Sequence, residues 1–72
     1  MQRREYVVSD SETRWWVTLD GVRSGPFLLQ VDAVHHAVTA ARADASAGVR
    51  ARVVSHNYGG DNAVIFDTRD DV

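Results

Sequence analysis

The chain reads as an α+β domain of order β-β-(short β)-α-β-β, with a single antiparallel sheet packed on one face by one helix. Three observations predict it. Short β-type runs at Tyr6-Val7-Val8, Arg14 to Leu19, Val49 to Ser55 and Ala63 to Phe66 are separated by clusters of turn formers. One stretch, Ala33 to Ala47, places Val34, Ala37, Val38, Ala41 and Ala45 on one helical stripe. The 72 residues are too few for more than one domain, and a domain near this size buries only about 60% of the surface its unfolded chain exposes. The ordered core is expected over about residues 5–67, with an acidic, solvated tail at 68–72.

Tyr6-Val7-Val8 is the first strand, followed by a polar loop, Ser9 to Thr13, and the tryptophan strand Arg14-Trp15-Trp16-Val17-Thr18-Leu19. Asp20-Gly21 is the dipeptide preferred in a two-residue type I′ turn, so Leu19 should pair with Val22 and Thr18 with Arg23. The return strand is weakened by Gly25 and by Pro26, which has no N–H to donate, and belongs at an edge or in a bulge. Phe27, Leu28 and Leu29 should then lead back toward the core. Asp32 is the expected N-cap of the helix and Gly48 its C′ residue. His36, Thr39, Arg42 or Ala43, and Ser46 fall on the helix's outer side.

After Gly48, period-two alternation turns Val49, Ala51 and Val53 inward and Arg50, Arg52 and His56 outward. Asn57 to Asn62 forms the turn of a second hairpin that closes the fold. The helix would span about 22 Å and a four-stranded sheet about 14–19 Å, so one helix covers one face and none remains for the other.

Eight arginines, no lysine, and ten aspartates plus glutamates give a net charge of −2, which disfavours nucleic acid or an anionic membrane as partners of the whole molecule. The absence of cysteine excludes a disulfide framework or a thiolate metal site. No stretch resembles a signal peptide or a membrane span, and a cytoplasmic protein is expected. Arg used to the exclusion of Lys, with abundant Ala, Val and Asp, fits a GC-rich bacterial or phage genome.

The most informative pair is Trp15-Trp16, because adjacent residues on a strand point to opposite faces. Trp15, Val17 and Leu19 are assigned to the core, and Trp16 to the uncovered face with Thr18, Arg23, Arg50, Arg52 and His56. The reverse phase, with Trp16 inward, would exchange core and surface. An outward Trp16 needs an arginine lid, a partner or a ligand. Arg23 or Arg52 over the indole is the simplest of these. A protein partner, or a second copy in a homodimer, is the leading functional expectation, since Trp and Arg are enriched at interface hot spots. Single-stranded nucleic acid stacked on Trp16, with Arg50 and Arg52 on its phosphates, is the alternative.

No cofactor, metal ion or small-molecule substrate is inferred. Asp32 and His36 share a helical face but make only two ligands. Ser55 and His56 are strand neighbours that point apart and form no dyad. Gly59-Gly60 sits between strands rather than before a helix, as a hairpin turn does, and Tyr58 stands at that turn. Without a nucleophile elbow or phosphate loop, the chain is not expected to be an enzyme.

In order, Trp15-Trp16-Val17, Ala37-Val38-Thr39-Ala40-Ala41-Arg42, Val53-Val54-Ser55-His56 and Gly59-Gly60 match a Trp-x-Val strand, an Ala-x-x-x-Ala-Arg helix, a β-run ending in His and a Gly-containing turn. From Tyr6 to about Phe66 the chain thereby resembles the small bacterial domain-of-unknown-function family 2188. The resemblance implies a compact sheet-and-helix fold and assigns no catalytic residue.

Overall fold

The computed structural model describes residues 3–56 and 62–68. Its elements are β1 (Arg3–Ser11), β2 (Arg14–Leu19), β3 (Val22–Phe27), α1 (Gln30–Ser46), β4 (Arg50–His56) and β5 (Asn62–Asp67). The α+β class and element order agree with expectation, but the sheet is mixed rather than purely antiparallel. Its strand order is β3-β2-β1-β4-β5, and the central pair β1 and β4 runs parallel, with Tyr6 beside Val53 and Val8 beside Ser55. The physical reason is the helix: leaving β3, the chain crosses the sheet through α1 and returns to β1 in the same direction, as crossover connections do.

Both local hairpins of the N-terminal half follow from backbone sterics. Asp20 and Gly21 adopt φ of 51° and 80°, and the Leu19–Val22 and Thr18–Arg23 pairs form as the type I′ turn requires. The loop expected at Ser9 to Thr13 is instead a two-residue turn, Glu12 and Thr13, both at positive φ. This lets β1 extend to Ser11, which pairs with Arg14. β3 is an edge strand, and its pairing with β2 shifts register between Trp15–Phe27 and Val17–Ser24. Gly25 lies there at φ +128°, where an added Cβ would crowd the Phe27 ring and the Trp15 carbonyl oxygen at 3.1 Å and the backbone itself disfavours any larger residue.

The helix begins earlier than expected. Leu29 is the N-cap and makes no side-chain capping bond, while Asp32 lies in the first turn, where its charge favours the helix dipole without capping. At the other end Gly48, at φ +83°, donates its N–H to Ala45 O at 3.0 Å and Val49 donates to Asp44 O at 2.8 Å, a Schellman motif.

The buried stripe is Ala33, Ala37 and Ala41, flanked by half-buried Val34, Val38 and Ala40; Ala45 is exposed, contrary to expectation. These small side chains seat the helix against Tyr6, Val8, Val17, Ala51 and Val53. Trp15, Leu19, Phe27 and Phe66 close the margins of this core. Trp15 therefore lies on the helix-covered face as expected, half-buried at its edge; Val17 is the fully buried member of β2. Leu28 and Leu29, expected to return to the core, are exposed.

Where the stripe reaches Asp44, a polar contact takes over from alanine. Tyr6 donates its hydroxyl hydrogen to Asp44 Oδ2 at 2.5 Å, and Arg4 Nη1 bonds Oδ1 at 2.8 Å. The carboxylate is 12% exposed, and its main-chain oxygen receives the Schellman bond, so one residue ties the helix end to β1. Burial, and then the bond to Asp44, push the Tyr6 hydroxyl above its ordinary value near 10; Asp44 also raises Arg4.

Thr68, assigned in advance to a solvated tail, is half-buried: its main-chain N–H donates to Ala51 O, and its hydroxyl bonds both the Ala51 N–H and the Ala51 carbonyl at 3.0 Å. The turn expected at Asn57 to Asn62 lies, except for Asn62, outside the described residues, as do residues 69–72. Among the described residues, no helix is long and apolar enough to cross a membrane.

Two outcomes follow from this packing. Ala37→Leu forces a larger side chain into a site with no exposed surface and lowers stability by about 1–3 kcal/mol, read from urea unfolding. Tyr6→Phe removes a bond to a carboxylate and costs about 1–2 kcal/mol at neutral pH. Because the folded tyrosine is raised above its unfolded value, that stability is fully present below about pH 10 and is lost as pH rises through the folded pKa. Urea midpoints of wild type and Tyr6→Phe therefore stay apart from pH 7 to 9 and converge in stronger alkali.

Candidate interaction surface

Strand register decides which side chains share the face that the helix leaves open. Paired residues in neighbouring strands point the same way, so one row across the sheet is Arg23, Thr18, Val7, Val54 and Val64. Beside it lie Trp16 and Ser9 in one direction, Glu5, Arg52 and Asp67 in the other, and beyond these Arg3 with Arg50. All six residues expected on the open face, Trp16, Thr18, Arg23, Arg50, Arg52 and His56, lie on it.

They do not form one cluster. Arg23 extends from edge strand β3 and stacks its guanidinium 4.5 Å from the Trp16 ring centroid, with Thr18 alongside. Arg50, Arg52 and His56 stand on β4, separated from β2 by the whole of β1, about 10 Å at the usual strand spacing. Of the two arginines considered as a lid for the indole, Arg23 takes that place. Arg52 is engaged by Glu5, which accepts from its Nε at 2.7 Å and also pairs with Nη2. His56 Nδ1 lies 2.6 Å from Asn62 Oδ1, bridging β4 to β5.

The residues missed in advance are those of β1, Glu5, Val7 and Ser9, which form the middle of the face. Only Val7 falls within the strand expected at Tyr6-Val7-Val8; Glu5 and Ser9 join the face because β1 runs from Arg3 to Ser11, beside the parallel partner β4 that local patterning does not reveal. Val54 is 4% exposed although it faces away from the helix; Val7 and Val64 flank it on the neighbouring strands.

Among the described residues the face carries five arginines, at positions 3, 14, 23, 50 and 52, and two carboxylates, Glu5 and Asp67. Its formal charge is +3, opposite in sign to the chain's total of −2. At physiological salt, fields fade over about 8 Å, so a molecule lying on the sheet responds to this local charge more than to acidic groups beyond the helix. The pattern is banded: arginine at both ends, a neutralised Glu5–Arg52 pair and an apolar valine row between.

The remaining polar groups singled out by the sequence lie apart. Ser55 is buried on the helix side and His56 is exposed on the opposite face. His36 packs its ring 5.3 Å from Phe27. Among the described residues no three His, Cys, Asp or Glu side chains gather where a metal ion could be held. Tyr58, Gly59 and Gly60 lie outside the described residues.

Arg23→Ala uncovers the indole. Its expected effects are a red shift of tryptophan emission in the folded protein and a loss of about 0.5–1 kcal/mol, both read from one fluorescence-monitored urea titration. No family model, curated protein or solved structure matches the chain.

Proposed function

We propose that the chain is a non-catalytic interaction module that receives an acidic surface of a protein partner on its open sheet face. The observation that carries this reading is the charge of that face, +3 on a chain of −2, arranged around a partly exposed Trp16 and an apolar row. Arginine flanking an indole is the composition of interface hot spots. Charge also selects between partners. Two copies placed face to face would set +3 against +3, which favours a different, acidic molecule over a homodimer through this face.

Single-stranded nucleic acid is the second reading, supported by the same arginines and the indole. It is less favoured, because Glu5 and Asp67 would lie among the phosphates and the valine row offers no contact to a sugar–phosphate chain. Kinship with domain-of-unknown-function family 2188 belongs to this proposal as well. The observed element order, with His56 closing β4, supports it.

Immobilised wild type, Trp16→Glu, Arg50→Glu and the helix-side control Thr39→Glu would be compared as baits. The proposal expects proteins retained by wild type and by Thr39→Glu to be lost with either face variant, by tenfold or more for Trp16→Glu. Equal retention by all four would sink it. Saturable quenching of wild-type tryptophan by an oligothymidylate, abolished by Arg50→Glu and steeply weakened by salt, would replace the protein reading with the nucleic-acid one.

A further inference from the structure

Where the two central strands begin side by side, four arginines crowd one end of the sheet, and their partners sort them into two kinds. Arg4 turns to the helix side, where Asp44 takes it, and Arg52 is held by Glu5 through both Nε and Nη2. Arg3 and Arg50 are left. They are direct partners in the parallel β1–β4 pair, so both stand on the open face, their backbones about 4.8 Å apart. Both side chains are exposed, and neither forms an ion pair with a carboxylate among the described residues. Like charges directly opposite each other on neighbouring strands destabilise a sheet. The next carboxylate along β1 is Glu5, and its bonds to Arg52 already engage it.

We infer that Arg3 and Arg50 form a clamp for the phosphate monoester of a phosphorylated side chain, the two guanidiniums closing on one anion. This names the group by which the open face would hold its acidic partner, and it rests on that reading. Charge and geometry select phosphate over carboxylate. A phosphorylated side chain carries a charge of about −1.5 to −2 at neutral pH on three acceptor oxygens, which matches two arginines. One carboxylate brings half that charge, and two separate carboxylates would repel each other at the site. The planar fork of each guanidinium takes two phosphate oxygens in parallel, so the tetrahedral anion can be shared by both without either giving up a bidentate contact. Bound there, the anion turns a repulsive cross-strand pair into a bridged one.

The clamp is tested on the whole chain without a partner. Arginine side-chain and backbone amide NMR signals are followed against N-acetyl-O-phosphoserine amide, N-acetyl-aspartate amide and inorganic phosphate, each at neutral pH and constant ionic strength. The expected result is saturable movement of the Arg3 and Arg50 signals with the phosphoserine probe, at least tenfold tighter than with the aspartate probe. Arg50→Gln and Arg3→Gln each weaken that binding tenfold or more, whereas Arg23→Gln, on edge strand β3, leaves it unchanged. A second measurement needs no ligand: at low salt Arg50→Gln melts at or above the wild-type temperature, and any gap closes as salt rises. An aspartate probe that binds as tightly, phosphoserine binding retained in both glutamine variants, or Arg50→Gln melting below wild type at low salt overturns the clamp. Inorganic phosphate bound tenfold tighter than the ester assigns the site to the free ion and overturns the partner's phosphate as its occupant. Failure of the clamp leaves bait retention that depends on Trp16 standing, while equal retention by all four baits sinks the face reading whatever the small probes do.

Discussion

The fold depends on how closely one helix can approach one sheet. Ala33, Ala37 and Ala41 have no exposed surface, and beneath them Val8 and Val53 are equally enclosed. With larger residues in the stripe, the helix would stand off and the valines would face a gap; with smaller ones, little apolar area would be covered. The one helix among the described residues thus covers one side of the five-stranded sheet, mainly over β4 and β1, and leaves the margins to Trp15, Leu19, Phe27 and Phe66.

That economy has a corollary on the opposite face. Since no second layer exists among the described residues, every outward position on β1, β2 and β4 must be compatible with water or with another molecule. The chain meets this requirement by pairing: Arg23 lies on Trp16, Glu5 holds Arg52, and His56 meets Asn62. Each pair shelters its neighbours while keeping charge at the surface, so the face is neither a raw apolar patch nor a plain hydrated one.

Local physics was legible in the residues; long-range geometry was not. The Asp20-Gly21 turn, the Gly48 terminus, the edge position of β3 and the opposite orientations of Trp15 and Trp16 rest on rules spanning a few residues, and the folded chain has each of them. The parallel β1–β4 pair joins segments more than forty residues apart, and either direction of pairing presents the same alternation. Glu12-Thr13 lacks the glycine or asparagine that marks such turns, so the length of β1 was hidden. At the helix start, Asp32 carried the chemistry of a cap, yet Leu29 takes the position, and the exposed leucines around it departed from the rule that sends large apolar residues inward.

The central strand comes from the first dozen residues, while its parallel neighbour follows the helix. Until β4 arrives, β1 can complete its ladder only on the β2 side, leaving its other edge and the undersides of Tyr6 and Val8 without their mates. On a ribosome, the early meander is therefore a half-built template: it waits for later codons, and a competing strand meets it as an open receptor.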